Sequence, residues 1–155
     1  MIIPDVNVLV YAHDAESPRQ ERAIAWWEAA VEGAEPVGLP WAVILGFARV
    51  VTHRGIFKKP VSIAAAADRV QEWLDHPNVH VITPGRGHAA MVFKLLEEAG
   101  AAGNLTPDAH LAALAIEYKA ELVSTDTDFA RFPGLRWVNP LARSKKPRKG
   151  RKAGR

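Results

Sequence analysis

Short β-branched runs interleaved with longer stretches of helical spacing constrain this chain more than any other feature. Ile2-Ile3, Val37–Leu39, Val79–Ile82, Leu122–Ser124 and Arg136–Val138 read as strands, the first and fourth as buried ones. Ser17-Pro18 opens a helix over 18–32 that Gly33 ends, a capping hydroxyl followed by a proline whose missing N–H is harmless in a first turn. Residues 40–53 space Trp41, Ile44, Leu45 and Ala48 as one helix face. Residues 62–75, capped by Ser62, do so with Ile63, Ala66, Ala67, Val70 and Leu74, and residues 86–99 with Ala90, Phe93 and Leu96 before Gly100. A last helix over 107–119 begins at Thr106-Pro107-Asp108. Strands that alternate with helices of this length pair in parallel and are covered on both faces. The expected fold class is α/β: a three-layer α/β/α sandwich around a mostly parallel sheet of about five short strands.

The 155 residues are enough for one core. The absence of cysteine excludes a disulfide scaffold, a thiol nucleophile and a Cys-based zinc site. No apolar run approaches the roughly 20 residues that cross a bilayer. Met1-Ile2-Ile3-Pro4-Asp5 meets an acid at once, unlike a secretory leader, so a cytoplasmic protein without membrane contact is expected. Charge is divided unevenly. All 17 acidic residues and 12 of the 20 basic ones lie in residues 1–142, whereas 143–155 carry eight basic residues and no acid. The expected organisation is one folded domain over 1–141 and a basic, disordered tail over 142–155. Such a tail attracts a polyanion such as RNA, or simply keeps the chain in solution; its composition suits both.

In open parallel sheets, ligand sites form beyond the carboxyl ends of the strands. Asp5 closes the first strand, and Asp126 follows the fourth in Ser124-Thr125-Asp126-Thr127-Asp128. Asp108 lies in the first turn of the helix before that strand, on the stripe that holds Leu111, Ala112, Ala115 and Ile116. Three carboxylates can therefore converge at one sheet edge. Left alone they would repel and resist desolvation. A divalent cation removes both penalties, and hard oxygen ligands suit Mg²⁺ or Mn²⁺. Such a site suits phosphodiester hydrolysis, because the cation activates water near neutral pH and stabilises the departing oxygen. Plainer explanations exist for some of these acids. Asp108 complements a helix N-terminus, and Asp126 and Asp128 are turn formers. Asp5, directly after a buried strand, has no explanation as good. Asn7 is expected both to orient Asp5 and to cap the helix that follows.

His13, His53, His76, His80, His88 and His110 form no i, i+4 pair with a carboxylate partner of the zinc-protease kind. His110 is two residues from Asp108 and should face away from it. All six are expected at the surface or at an interface. The five tryptophans, Trp26-Trp27 above all, mark core or an interface.

Asp5-Val6-Asn7, the run Thr106-Pro107-Asp108-Ala109-His110-Leu111 and Ser124-Thr125-Asp126-Thr127-Asp128-Phe129 together resemble PIN-domain ribonucleases. They are most similar to the VapC toxins of bacterial toxin–antitoxin pairs. The likeness spans about residues 1–141, since Phe132–Pro140 also resembles the ending of one VapC subgroup. It implies a Mg²⁺ or Mn²⁺ site and endonucleolytic cleavage of transfer, ribosomal or messenger RNA, a hydrolase reaction on an ester bond. It further implies a homodimer and an inhibitory VapB-type antitoxin, bound in a heterotetramer or larger assembly. Carried over by motif, Asp5, Asp108 and Asp126 are the catalytic, metal-holding carboxylates. Asp128 is a further ligand, and Asn7 and Thr125 stand behind the ligands.

One departure matters. The glutamate that PIN domains usually carry in the helix after the second strand falls, by spacing, at Gly46. Fewer carboxylates imply weaker metal binding, or one ion in place of two. Arg49 nearby is a phosphate contact, the partner of an acid, or an exposed helix charge. Gly46 also leaves open a non-catalytic, PIN-like RNA-binding module, against which the three retained acids argue. An aspartyl-phosphate enzyme would need an acid where Asn7 stands.

Overall fold

The first two strands each end on a proline, whose missing N–H closes the hydrogen-bond ladder, and a helix starts within two residues. A computed structural model describes residues 1–142, so the basic segment 143–155 lies outside the described residues, and with it nearly all of the expected tail. Strands β1 (Ile2–Pro4), β2 (Val37–Pro40), β3 (Val79–Ile82), β4 (Glu121–Val123) and β5 (Trp137–Val138) form one sheet. Its order is β3-β2-β1-β4-β5 and every pairing is parallel. Around it lie α1 (Val6–His13), α2 (Gln20–Glu32), α3 (Trp41–Thr52), α4 (Ile63–Leu74), α5 (His88–Ala99) and α6 (Thr106–Glu117). The chain runs outward from β1 to β3, then returns to β4 on the other side. The carboxyl ends of β1 and β4 are therefore the point where strand order reverses, the usual place for a site in such a sheet. Pro4 pairs with Val123, which sets residues 5 and 124 side by side.

Local signals hold at most boundaries. Ser62 Oγ accepts from the Ala65 N–H at 3.1 Å, and Gly100 ends α5 in the left-handed region at φ 65° that favours glycine. Two starts differ from expectation. α2 begins at Gln20 with no side-chain cap, Ser17 instead accepting from Arg19 N at 3.2 Å. Thr106 is the first residue of α6 rather than its cap, with Pro107 in the first turn. α1 is unmarked by spacing because it is eight residues long, and Val6, Val8 and Val10 have weak helix preference.

The buried helix faces also correct the sequence reading. α3 buries Val43, Ile44, Phe47 and Val51, leaving Trp41 and Leu45 52% and 62% exposed. Apolar residues occur all round this helix, so spacing does not choose the inner face. α4 buries Ala66 and Trp73 and exposes Ile63, while α5 buries Leu95 and Leu96 and exposes Phe93. Phe47 packs edge-on against His13 and Trp73, with ring centroids 5.0 and 4.6 Å away. Phe47→Ala is expected to lower unfolding free energy by about 3–5 kcal/mol, read from the midpoint and slope of a urea titration. Among the described residues, no helix is long and apolar enough to cross a membrane.

Candidate active site

The end of β1 places Asp5 where its carboxylate meets three donors. Asp5 caps α1: its Oδ1 accepts from Val6 N at 2.6 Å. Its Oδ2 accepts from Asn7 Nδ2 at 2.8 Å and from Ser124 Oγ at 2.7 Å. The residue is 6% exposed. Burial pushes its pKa up, against the pull of the Ser124 and Val6 hydrogen bonds, and the charge of Asp126 adds to the rise. Asp5, not Asn7, is thus the helix cap, while the expected orienting role of Asn7 is seen. Of roughly four acceptor positions on a carboxylate, three are occupied, leaving about one directed elsewhere.

Ser124 is the residue the sequence reading missed. It is fully buried just after β4, donates to Asp5, and accepts from Asn7 Nδ2 at 3.1 Å and Asp126 N at 3.0 Å. Thr125, named instead, contributes its backbone N–H to Asn7 Oδ1 at 3.4 Å. A lone hydroxyl ending an apolar strand was the available signal, since a buried polar group needs a partner. Ser124→Ala leaves donors on Asn7 and Asp126 unpaired. It is expected to cost about 1–3 kcal/mol of stability and about 10–100-fold in activity through a displaced Asp5, measured by melting and by RNA cleavage.

Asp108, Asp126 and Asp128 form an acidic group beside this network, each offering an oxygen within 4.8 Å of the others. The last two come from the turn after β4, where Asp126 Oδ1 accepts from Asp128 N at 2.9 Å. Asp108 projects from the first turn of α6. Its pKa is raised to about 6, first by burial and then by Asp126, Asp5 and Asp128. Among the described residues no cation pairs with Asp108 or Asp126, and Arg131 is 3.9 Å from Asp128. Uncompensated carboxylates of this kind fit a hard divalent cation, and their oxygens are the donors that Mg²⁺ or Mn²⁺ takes.

A cleft of about 720 Å³ opens onto Asp5 and Asp108 and is also lined by Val6, Gly46, Arg49 and His110. Gly46 stands on this wall and, being glycine, supplies no carboxylate there, although a Cβ would make only ordinary contact with Val6 Cγ2 at 3.4 Å. Arg49 is both exposed and on the cleft. His110 does not face away. It shares the cleft with Asp108, and its Nδ1 lies 2.7 Å from His88 Nε2, while His88 Nδ1 lies 2.8 Å from Glu117 Oε1. The other histidines are local: His53 and His76 accept turn N–H groups, His13 Nδ1 contacts Leu9 O, and His80 is exposed.

Residues 2–135 match the PIN domain family. The chain is 45% identical to Ribonuclease VapC33 of Mycobacterium tuberculosis over 91% of its own length and 99% of that protein. It is 41% identical to Ribonuclease VapC37 of the same organism, over 92% and 99%. Among solved structures it is similar to VapBC2 from Rickettsia felis bound to a promoter DNA fragment, with TM-score 0.66, 21% identity, and coverage of 90% and 98% of the two chains.

Proposed function

The chain belongs to the PIN-domain family and is a VapC-type endoribonuclease, the toxin of a toxin–antitoxin pair, and from that premise we propose that the acidic cleft is where it cuts RNA. The observation that supports this placement is the convergence of Asp108, Asp126 and Asp128 next to the buried Asp5, at the sheet's switch point. These four acids would hold Mg²⁺ or Mn²⁺, which when bound supplies Lewis acidity for in-line hydrolysis of a phosphodiester to a 5′-phosphate and a 3′-hydroxyl. Asn7 and Ser124 fix the Asp5 carboxylate so that one lone pair remains for this purpose. Asp108, whose pKa is raised to about 6 by burial and by Asp126, Asp5 and Asp128, is the acid whose charge a bound cation would relieve most. Arg49 on the rim can bind a phosphate of the strand.

Transfer, ribosomal or messenger RNA is the substrate class. The partners are a second copy of the chain and a VapB-type antitoxin, in a heterotetramer or larger, and no membrane is involved. The domain ends near residue 141, and the basic segment 142–155 assists through its attraction to RNA. The wall residue Gly46 favours one tightly held ion over two, and it keeps non-catalytic RNA binding as the second reading.

Mapping RNA 5′ ends in cells expressing the wild type or Asp5→Asn tests the proposal. New 5′-phosphate ends at a few sites, absent with the variant, are the expected result. Identical profiles at equal expression would favour the binding module.

A further inference from the structure

We propose that Arg19, Arg22, Thr125 and Asn139 form a subsite for an RNA backbone phosphate, next to the acidic group on the same sheet edge. It rests on the ribonuclease reading and deepens it, naming where the strand is gripped beside the bond that is cut.

Sheet order lays out this edge. β1, β4 and β5 are neighbours, so the residues after them stand in a row: Asp5, then Ser124 to Asp126, then Asn139. Val123 pairs with Val138, which sets Ser124 beside Asn139, one strand spacing of about 4.8 Å away. The cleft that holds Arg49 is walled by α3, the helix that follows β2, on one side of the acids. Beyond the carboxyl ends of β4 and β5 lies a second hollow, of about 370 Å³, lined by Arg19, Arg22, Thr125 and Asn139. Thr125 precedes Asp126, so their Cα atoms are about 3.8 Å apart and the hollow adjoins the acidic group.

The hollow is rich in donors, and no carboxylate lines it. Arg22 Nη1 donates to Leu141 O at 2.6 Å. Arg19 Nη1 donates to the Tyr11 hydroxyl at 2.9 Å, its guanidinium carbon 4.9 Å from the centroid of that ring. Both groups are thus held by neutral acceptors, and neither pairs with an acid among the described residues. Each has five N–H donors, so most of its fork is left for a ligand. Asn139 Oδ1 accepts from Leu141 N at 3.0 Å, which leaves its Nδ2 donors for a ligand as well. Two arginine forks without a counter-charge fit an anion with several oxygens, and their geometry matches phosphate. Position selects the source. A strand whose scissile phosphate sits on the acids carries its neighbouring phosphate along the edge to this hollow. Charge in the sequence agrees: Ala142 forms part of the wall, and the segment 143–155 after it has eight basic residues and no acid, the complement of a polyanion.

The test measures binding of a fluorescein-labelled single-stranded RNA oligonucleotide by anisotropy, in Mg²⁺ and over a series of KCl concentrations. The full chain carries Asp5→Asn throughout, so that the RNA stays uncut. Adding Arg19→Gln and Arg22→Gln together should weaken binding by at least about tenfold, the value of a lost charged hydrogen bond. It should also lower the slope of log Kd on log salt by about 0.7, the value of one phosphate contact on a single strand. Arg19→Lys with Arg22→Lys keeps the charge and should keep most of the slope. Lys119→Gln with Arg136→Gln removes two charges at the opposite, amino ends of β4 and β5 and should leave the slope unchanged. A melt of each protein shows that the fold is intact, and a purely structural role for the arginines would not move the slope. An unchanged slope in the Arg19 and Arg22 glutamine pair would overturn the proposal. So would an equal drop in the Lys119 and Arg136 pair, the sign of a general charge effect, or no RNA binding at any salt concentration. A wild type that cuts no RNA while the slope difference persists would remove the ribonuclease reading and keep the subsite, so the two failures are told apart.

Discussion

Asp5→Asn is expected to abolish RNA cleavage, by at least about 10²-fold, while the protein melts close to the wild-type temperature. Asparagine removes one charge from the acidic group but keeps the size of the side chain. It has one oxygen where aspartate has two, so it can retain either the Val6 cap or the pair of bonds from Asn7 and Ser124, not both. The lost contact costs about 1 kcal/mol. Opposing this, the buried charge disappears together with its repulsion from Asp126, the terms that raise the pKa of Asp5 in the wild type. The two changes offset each other. Asp5→Ala differs, because it loses the cap and strands the donors of Asn7 and Ser124 at once, and should melt clearly lower. Circular dichroism melts and cleavage assays on the three purified proteins separate the effects. An Asp5→Asn protein that folds and still cuts RNA at the wild-type rate would remove Asp5 from the chemistry.

Why some of this site was legible and some was not comes down to how many physical explanations each residue has. Asp5 stands out in the sequence because an acid directly after a buried strand is costly unless something uses it, and the structure shows it buried against Ser124 and Asn7. The parallel sheet was legible too, since strand-sized runs separated by helices leave few other arrangements. The faces of α3 and α5 were not. Trp41, Leu45 and Phe93 are apolar and exposed, and only the position of each helix on the sheet decides which side turns inward. Ser124 was hidden because its value lies in a contact 119 residues away in the chain. His110 was misread by helix geometry. Two residues along a helix do face apart, but the N-terminal end of α6 stands in the cleft with α5 beside it, and both sides are used: Asp108 lines the acidic side and His110 reaches His88.

A divalent cation should stabilise this protein strongly at neutral pH and weakly in acid, and Asp108 should account for the difference. In the fold, burial and three neighbouring acids raise its pKa from 3.8 to about 6. A group with a raised folded pKa binds more protons folded than unfolded. The stability it contributes is therefore present below 3.8 and lost as pH rises to about 6. Without a divalent cation, the wild type should lose stability relative to Asp108→Asn over that window, because the variant has no charge to desolvate. Mg²⁺ or Mn²⁺ reverses the penalty, since a ligand that binds only the folded state stabilises it by mass action, about 2.7 kcal/mol at 100 times its Kd. Protons compete with the cation for the same oxygens. The apparent Kd for Mg²⁺ should tighten about tenfold per pH unit up to about pH 6 and then level off. Melting curves at pH 5 and pH 7.5, without Mg²⁺ and over a series of rising Mg²⁺ concentrations, read both effects. The Mg²⁺-induced rise should be large at the higher pH, small at the lower, and nearly absent at both in Asp108→Asn. An equal rise at both pH values in the wild type would mean that the cation is held by acids other than Asp108, and the site would have to be rebuilt around Asp5, Asp126 and Asp128.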